Sequence, residues 1–283
     1  MAPRISSYMT TDVEVVTPND SLAHARRIML RKGISRLVVV DAEDTSRPLG
    51  VLTLTDIVEA LLGRYSHRPI ETIMVGEVYT PDPVVVEATR TIKTAASLML
   101  KHKIGGLPVV GPDGRLVGII TRFDITRAFA ERYRGRYRVE DLMRREYAQA
   151  RRGHSVYHIA KLLMADPAGK VIVVDSGKPI GVITKRDLAF ITMPLVERGS
   201  RFYKVKTLDR YRDKIVGLRV YNVPIAEDVM SPNPITVEVG SDAAEAASIM
   251  VSEDIGVLPV VDSEGNIQGV FSKIEVLGAV ARS

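Results

Sequence analysis

The sequence predicts an α/β protein built from four copies of one strand-helix-strand-strand-helix unit, and three observations carry that prediction. Eight of the ten methionines fall into two series, Met9, Met74, Met143, Met230 and Met29, Met99, Met164, Met250, the second following the first by 20, 25, 21 and 20 residues. A glycine recurs 17 to 21 residues after each second-series Met, at Gly50, Gly118, Gly181 and Gly269. Six residues beyond each glycine lies an acid: Asp56, Asp124, Asp187 and Glu275. Four self-similar copies of a unit of about 55 residues mark a repeat architecture. The Met series reads as core packing and the Gly series as close backbone approach.

Each element of the unit follows from local pattern. In copy one, the β-branched Val13-Glu14-Val15-Val16 reads as a strand bounded by Thr17-Pro18-Asn19-Asp20. Asn19, Asp20 or Ser21 can cap a helix whose apolar positions Leu22, Ala25, Ile28 and Met29 recur at helical spacing, with Gly33 as its stop. Leu37 to Val40 is a short apolar strand, residues 41–47 turn the chain, and Gly50-Val51-Leu52-Thr53 is a second strand. Thr55-Asp56 opens a helix carrying Ile57, Val58, Leu61 and Leu62. Copy four repeats this order through Ile235-Thr236-Val237, Ala243 to Val251, Leu258 to Val261, Gly269 to Ser272 and Lys273 to Val280. The repeats are set at 5–64, 70–131, 138–192 and 226–281, with a basic connector at 193–225.

Composition narrows the function classes. With 46% apolar and 26% charged residues, the chain is ordinary for a globular protein. No apolar run approaches the roughly 18 residues of a membrane helix, and the polar amino terminus lacks a signal-peptide core, so a cytoplasmic protein is expected. Zero cysteine removes disulfides, thiol catalysis and Cys-ligated metals. Only six Asn and Gln, with abundant charge, suggest a heat-adapted source. His24, His67, His102, His154 and His158 show no ligand spacing with carboxylates, so no metal is expected. There is neither a phosphate loop ending in Lys-Ser/Thr nor a nucleophile elbow, and no enzyme is expected.

Gly118-Ile119-Ile120-Thr121-Arg122-Phe123-Asp124, preceded by Gly105-Gly106-Leu107-Pro108-Val109-Val110, resembles the signature of the CBS domain, as do Gly256 to Asp262 with Gly269 to Ser272. Four such units resemble the archaeal four-CBS proteins and the gamma subunit of AMP-activated protein kinase. The resemblance implies two pseudo-two-fold Bateman modules, copy one with two and three with four, within one chain or between the two chains of a homodimer. It also implies adenine nucleotides (AMP, ADP or ATP) as regulatory ligands in the clefts between paired domains, with no catalytic cofactor, and an unidentified regulated partner protein.

The local chemistry agrees. A carboxylate at a helix start can accept ribose hydroxyls, and the helix amino terminus favours phosphate. Copy one offers Thr53, Asp56 and Arg36; copy two offers Thr121, Asp124 and Arg122, with Gly106 where Arg36 would stand. Copy three offers Thr184, Asp187 and Lys170, with Lys185 and Arg186 adjacent. Copy four departs, with Ser272 and Glu275 in place of Thr and Asp and with Val257 at the basic position. Each acid also suits a purely structural capping role.

The charge distribution opens an alternative. Residues 122–152 hold ten Arg against five acids, and residues 193–223 hold eight bases against three acids. Arg132, Tyr133, Arg134, Arg136, Tyr137 and Arg138 interleave guanidinium groups with rings, and Arg201, Tyr203, Lys204, Lys206, Arg210 and Arg212 continue the pattern. Such interleaving suits RNA or ribosome contact through phosphate pairing and base stacking. It equally suits packing between the two modules.

Overall fold

In each repeat, capping side chains fix where the helices begin. Among the first helices, Ser21 caps α1 (Leu22–Lys32), Thr91 caps α3 (Ile92–Lys101), Ser155 caps α6 (Val156–Ala165) and Asp242 caps α9 (Ala243–Ser252), each accepting from an amide of the first turn. Gly33 ends α1 in the left-handed conformation, at φ 69°, as its place after the periodic run predicts. Among the second helices, Thr53 caps α2 (Leu54–Glu59), Thr121 caps α4 (Arg122–Arg132), Thr184 caps α7 (Lys185–Ala189) and Ser272 caps α10 (Lys273–Arg282). In this computed structural model residues 3–190 and 223–283 are described, together with the backbone of residues 201–204 and 215–218.

The strands complete a mixed α/β unit in each repeat. In repeat 1, β1 (Val15–Val16) runs parallel to β2 (Arg36–Val40), which pairs antiparallel with β3 (Pro48–Thr53), setting Arg36 opposite Thr53. Repeat 2 uses β5 (Val86–Glu87), β6 (Gly106–Val110) and β7 (Leu116–Thr121) in the same way. In repeat 3 the equivalents are β8 (Gln149–Ala150), β9 (Lys170–Asp175) and β10 (Lys178–Thr184), and in repeat 4 they are β14 (Val237–Glu238), β15 (Val257–Val261) and β16 (Ile267–Ser272). Two short helices, α5 (Val139–Leu142) and α8 (Ala226–Val229), precede repeats 3 and 4. Within the basic connector, β11 (Arg201–Lys204) pairs antiparallel with β12 (Ile215–Leu218).

The glycine series marks where the modules are stitched. The leading segment of each repeat crosses the last strand of its module partner. In repeat 2 this is β4 (Thr80–Pro81), paired with Gly50 and Val51; in repeat 4 it is β13 (Ser231–Pro232), paired with Val182 and Gly181. Thr10 bridges to Ile119 and Arg144 to Val270 in the same position. A Cβ on Gly118 would lie 3.0 Å from Met9 Sδ, one on Gly181 2.4 Å from Met230 Sδ, and one on Gly269 3.4 Å from Met143 Sδ. On Gly50 it would meet Tyr79 at 2.4 Å. Close approach, rather than turn geometry, requires glycine here.

That equivalence corrects the methionine series in two places. Tyr79, not Met74, is the counterpart of Met9, Met143 and Met230, while Met74 is exposed at 39%. In α6, Leu163 occupies the fully buried site eight residues after the cap, where Met29, Met99 and Met250 stand in theirs. Met164 is displaced by one position and only partly buried.

The crossings join repeat 1 to 2 and repeat 3 to 4, as expected. The helices then join the modules to each other, a relationship the sequence did not indicate. One core combines repeats 2 and 4 around Phe129, Met99, Met250 and Leu277; the other combines repeats 1 and 3 around Met29, Ile57, Leu163 and Leu188. A smaller cluster of Ile172, Val257 and Val270 lies between the sheets of repeats 3 and 4.

Candidate functional site

The four acids all perform the capping role. Thr53 N–H and Oγ1–H donate to Asp56 Oδ2 at 2.6 and 2.7 Å, and the same pair from Thr121 reaches Asp124 Oδ2 at 2.8 Å each. Thr184 N–H donates to Asp187 at 2.6 Å and Ser272 N–H to Glu275 at 2.8 Å. One oxygen of each acid is thereby fixed, and the other decides whether the acid can meet a ligand. Among the described residues, no other side chain hydrogen-bonds the second oxygen of Asp56 or Asp187. Asp124 Oδ1 has Arg127 Nη2 at 3.6 Å, and Glu275 Oε1 has Arg144 Nε at 3.4 Å. Burial pushes the carboxyls of Asp56, Asp124 and Glu275 up from the usual range.

Six cations gather among these caps. Arg36 and Lys170 open the central strands β2 and β9; Arg122, Lys185 and Lys273 are the first residues of α4, α7 and α10, and Arg186 follows Lys185. The glycines of the even repeats admit the cations of the odd ones. A Cβ on Gly106 would lie 3.0 Å from Arg36 Cδ, and one on Gly256 would lie 3.0 Å from Lys170 Cε. Arg36, grouped with Asp56 by sequence, thus leans onto repeat 2, where the charge of Asp124 opposes the lowering of its pKa.

The cluster is electrostatically unsatisfied. Burial pushes Lys170 down to about 8, reinforced by the charges of Lys273, Arg186 and Arg122. Burial likewise pushes Lys273 down to about 8, with Arg36 and Arg186 adding to it, and Arg36 down to about 10, with Arg122 adding to it. Among the described residues, Arg36 and Lys170 side chains have no hydrogen bond or ion pair. Arg122 donates to Ile104 O at 3.2 Å, but its Nε is buried without a partner. Lys273 lies over the Phe123 ring at 4.7 Å. Lys185 donates to Thr55 Oγ1 at 2.9 Å and Arg186 to Gly33 O, so both bridge repeat 3 to repeat 1.

Half-buried cations crowded against one another, two of them with no hydrogen bond or ion pair among the described residues, favour an anion, and phosphate oxygens suit guanidinium and ammonium donors together. The caps place free carboxylate oxygens, suited to sugar hydroxyls, beside that anion site. Lys273 is the member that sequence reasoning missed; its register with Arg122, immediately after the cap, was the available signal. Two cavities of the outer surface, one of them about 770 Å³ between Val58, Leu62, Tyr157 and Met164, lie away from these cations.

The expected nucleic-acid residues behave differently. Tyr133 is buried, stacked on Phe129 with centroids 4.8 Å apart and on Tyr137 at 6.4 Å, and its hydroxyl meets Ser283 Oγ at 2.7 Å. Arg132 donates to Tyr8 Oη at 3.0 Å, Arg134 pairs with Glu245 at 3.4 Å, Arg136 covers Tyr133 at 5.2 Å and Arg138 donates to Gly240 O at 3.1 Å. Tyr133 and Tyr137 pack between repeats 2 and 4, while the four arginines stay on the exposed side of them. Arg201, Tyr203 and Lys204 lie on β11, of which only the backbone is described, and Lys206, Arg210 and Arg212 lie outside the described residues.

Residues 5–63, 75–131, 139–192 and 226–282 match the family model of the CBS domain. The chain is 25% identical over 276 residues to the uncharacterised protein MJ1225 of Methanocaldococcus jannaschii, covering 94% of each chain. It is 26% identical to MJ1404 of the same organism, over 98% of this chain and 62% of that longer relative. The crystal structure of MJ1225, proposed there to be an archaeal homologue of the AMP-activated kinase gamma subunit, superposes with a TM-score of 0.79 at 24% identity, covering 98% of this chain and 99% of that one. An uncharacterised Pyrococcus horikoshii protein superposes at 0.65 with 20% identity over 98% and 99%. Among the described residues no helix is long and apolar enough to cross a membrane, and no cluster of metal-ligating side chains occurs.

Proposed function

The chain belongs to the CBS domain family, and from that premise we propose that it is a non-catalytic regulatory protein binding adenine nucleotides in the clefts between paired repeats. The observation that carries this reading is Lys170, an ammonium pushed down to about 8 by burial and by three neighbouring cations, with no ion pair or side-chain hydrogen bond among the described residues, between the Asp187 cap and Gly256. The phosphate of a nucleotide pairs with Arg36, Arg122, Lys170, Lys185, Arg186 and Lys273. The ribose hydroxyls meet the free oxygens of Asp56 and Asp187 and the Asp124 oxygen that Arg127, a half-exposed side chain able to swing away, approaches to 3.6 Å, beside Thr53, Thr121 and Thr184. Because the cluster draws cations from all four repeats, a ligand in one cleft changes the balance of charge felt by the others. That coupling is the means by which ligand state reaches a partner protein.

Calorimetry with AMP, ADP and ATP tests the reading: binding weakened by Asp187→Ala is expected, and no binding of any adenylate overturns it. The Arg/Tyr stretch 122–152 supports no second reading, since its rings and most of its guanidinium groups already pair within the protein.

A further inference from the structure

The four clefts are built by one rule. The residue after each Met9-type position lies opposite the residue after each recurring glycine: Thr10 opposite Ile119, Thr80 opposite Val51, Ser231 opposite Val182 and Arg144 opposite Val270. Two residues further along each of those strands lie the capping residues Thr121, Thr53, Thr184 and Ser272, so this position borders the cleft in every case. Three clefts carry a small hydroxyl residue there. The fourth carries arginine.

Arg144 is held from two sides. Its Nη1 pairs with Asp166 Oδ1 at 2.6 Å, and its Nε, buried without a hydrogen-bond partner, lies within ion-pair range of Glu275 Oε1 at 3.4 Å, with the two carboxylate side chains only 2% and 7% exposed. Asp166 is itself fixed, because its Oδ2 accepts from the Ala168 and Lys170 amides at 3.0 and 3.1 Å. Glu275 reaches this arginine because it is one methylene longer than the aspartates of the other repeats. Its first oxygen is committed to the Ser272 cap. The carboxylate oxygen that stays available on Asp56 and Asp187 therefore already has a guanidinium against it in repeat 4.

We propose that Arg144 acts as a built-in occupant of the fourth cleft, so that the chain offers three adenylate sites and keeps the fourth closed by the Asp166–Arg144–Glu275 bridge. This rests on the nucleotide reading for its ligand and extends it to site number and selectivity. A buried pair that loses one member leaves an uncompensated charge. Exchanging arginine and glutamate together for the residue types of the open clefts leaves one partner carboxylate, Asp166, whose Oδ2 keeps its two backbone amide donors.

The test compares adenylate stoichiometry, by native mass spectrometry with AMP, in the full chain and in the double variant Arg144→Ser, Glu275→Asp. The proposal expects no more than three equivalents on the parent chain and one additional equivalent on the variant. Four equivalents on the parent overturn it. So does an unchanged count on a variant that melts cooperatively, an outcome that leaves the nucleotide reading standing. No adenylate on either chain overturns both, whereas an empty parent with one equivalent on the variant supports the closed cleft and sinks the reading for the other three. Should the variant fail to fold, hydrogen exchange on the parent decides: amides of residues 272–276 keep their exchange rates at saturating AMP, and protection there overturns the proposal.

Discussion

Lys170 lies across Gly256, the residue that precedes the corresponding position in its module partner, so closely that a Cβ there would stand 3.0 Å from its Cε and 3.2 Å from its Nζ. The contact is with the free end of a flexible side chain, which can move aside. Gly256→Ala is therefore expected to leave stability within about 1 kcal/mol of the parent, as for substitutions that create neither cavity nor unpaired charge. The displaced ammonium loses its place on the phosphate, and AMP affinity falls about tenfold, the equivalent of one charge-assisted hydrogen bond. Thermal melts and calorimetry on the same variant separate the two effects; equal affinity in both chains places Lys170 outside the ligand's reach.

Asp187 has two roles that can be separated chemically. Its Oδ2 accepts from the Thr184 amide at 2.6 Å and caps α7. Asp187→Ala removes both the cap and the free oxygen, costing about 1 kcal/mol of stability along with binding. Asp187→Asn keeps an oxygen acceptor for the cap and loses the charged one. We expect near-parental melting and about tenfold weaker AMP binding, because hydrogen bonds to a charged acceptor are the stronger ones. If both variants bind as the parent does, the carboxylate is a cap alone.

The repeats were legible because their cores are local: a cap, an apolar position eight residues on, and a glycine where another backbone crosses. The methionine spacings of 25 and 21 residues hid a constant one. Tyr79 fills the crossing position twenty residues before Met99, and Leu163 the core position twenty residues after Met143, because side-chain volume at these sites matters more than sulfur. Arg36 and Lys170 were legible by alignment, whereas the cleft each one serves was not, since a long side chain can lean across the module. The packing of repeat 2 on 4 and of 1 on 3 was illegible for a different reason. An amphipathic helix declares that one face is buried, without declaring against what.

The stacked Phe129, Tyr133 and Tyr137 show where that interface is most exacting. Tyr133→Ala removes a buried ring from between repeats 2 and 4 and is expected to lower stability by about 3 kcal/mol. Tyr133→Phe loses only the 2.7 Å bond to Ser283, a cost of about 1 kcal/mol. Denaturant unfolding monitored by tyrosine fluorescence measures both. A Tyr133→Ala chain as stable as the parent shows that the ring is not part of the packed interface and returns it to the surface, where RNA contact would again need testing.

Two lysines near 8 make opposite demands on the free and the ligand-bound protein. Lys170 and Lys273 are each pushed down to about 8 from the ordinary lysine value of 10.5, burial being the larger cause in both. Lys170 faces Lys273, Arg186, Arg122 and Asp187; Lys273 faces Asp254, Arg36, Asp124 and Arg186. In the unfolded chain these amines hold their protons up to the ordinary value, so between pH 8 and 10 the unfolded state binds more protons than the folded one. Stability contributed by this pair therefore rises with pH across that window. Phosphate binding has the reverse sign: the anion favours both ammonium forms, and deprotonation above pH 8 removes its partners. AMP affinity is expected to change little close to pH 7, above the phosphate's own second pKa of about 6, and to fall above pH 8, steepening toward about tenfold per pH unit for each proton that binding requires. Calorimetry in buffers of differing ionisation enthalpy measures this directly, since binding at pH 8.5 must take up protons. Lys170→Met and Lys273→Met should each reduce that uptake, and an uptake unchanged in both variants would place the titrating groups elsewhere.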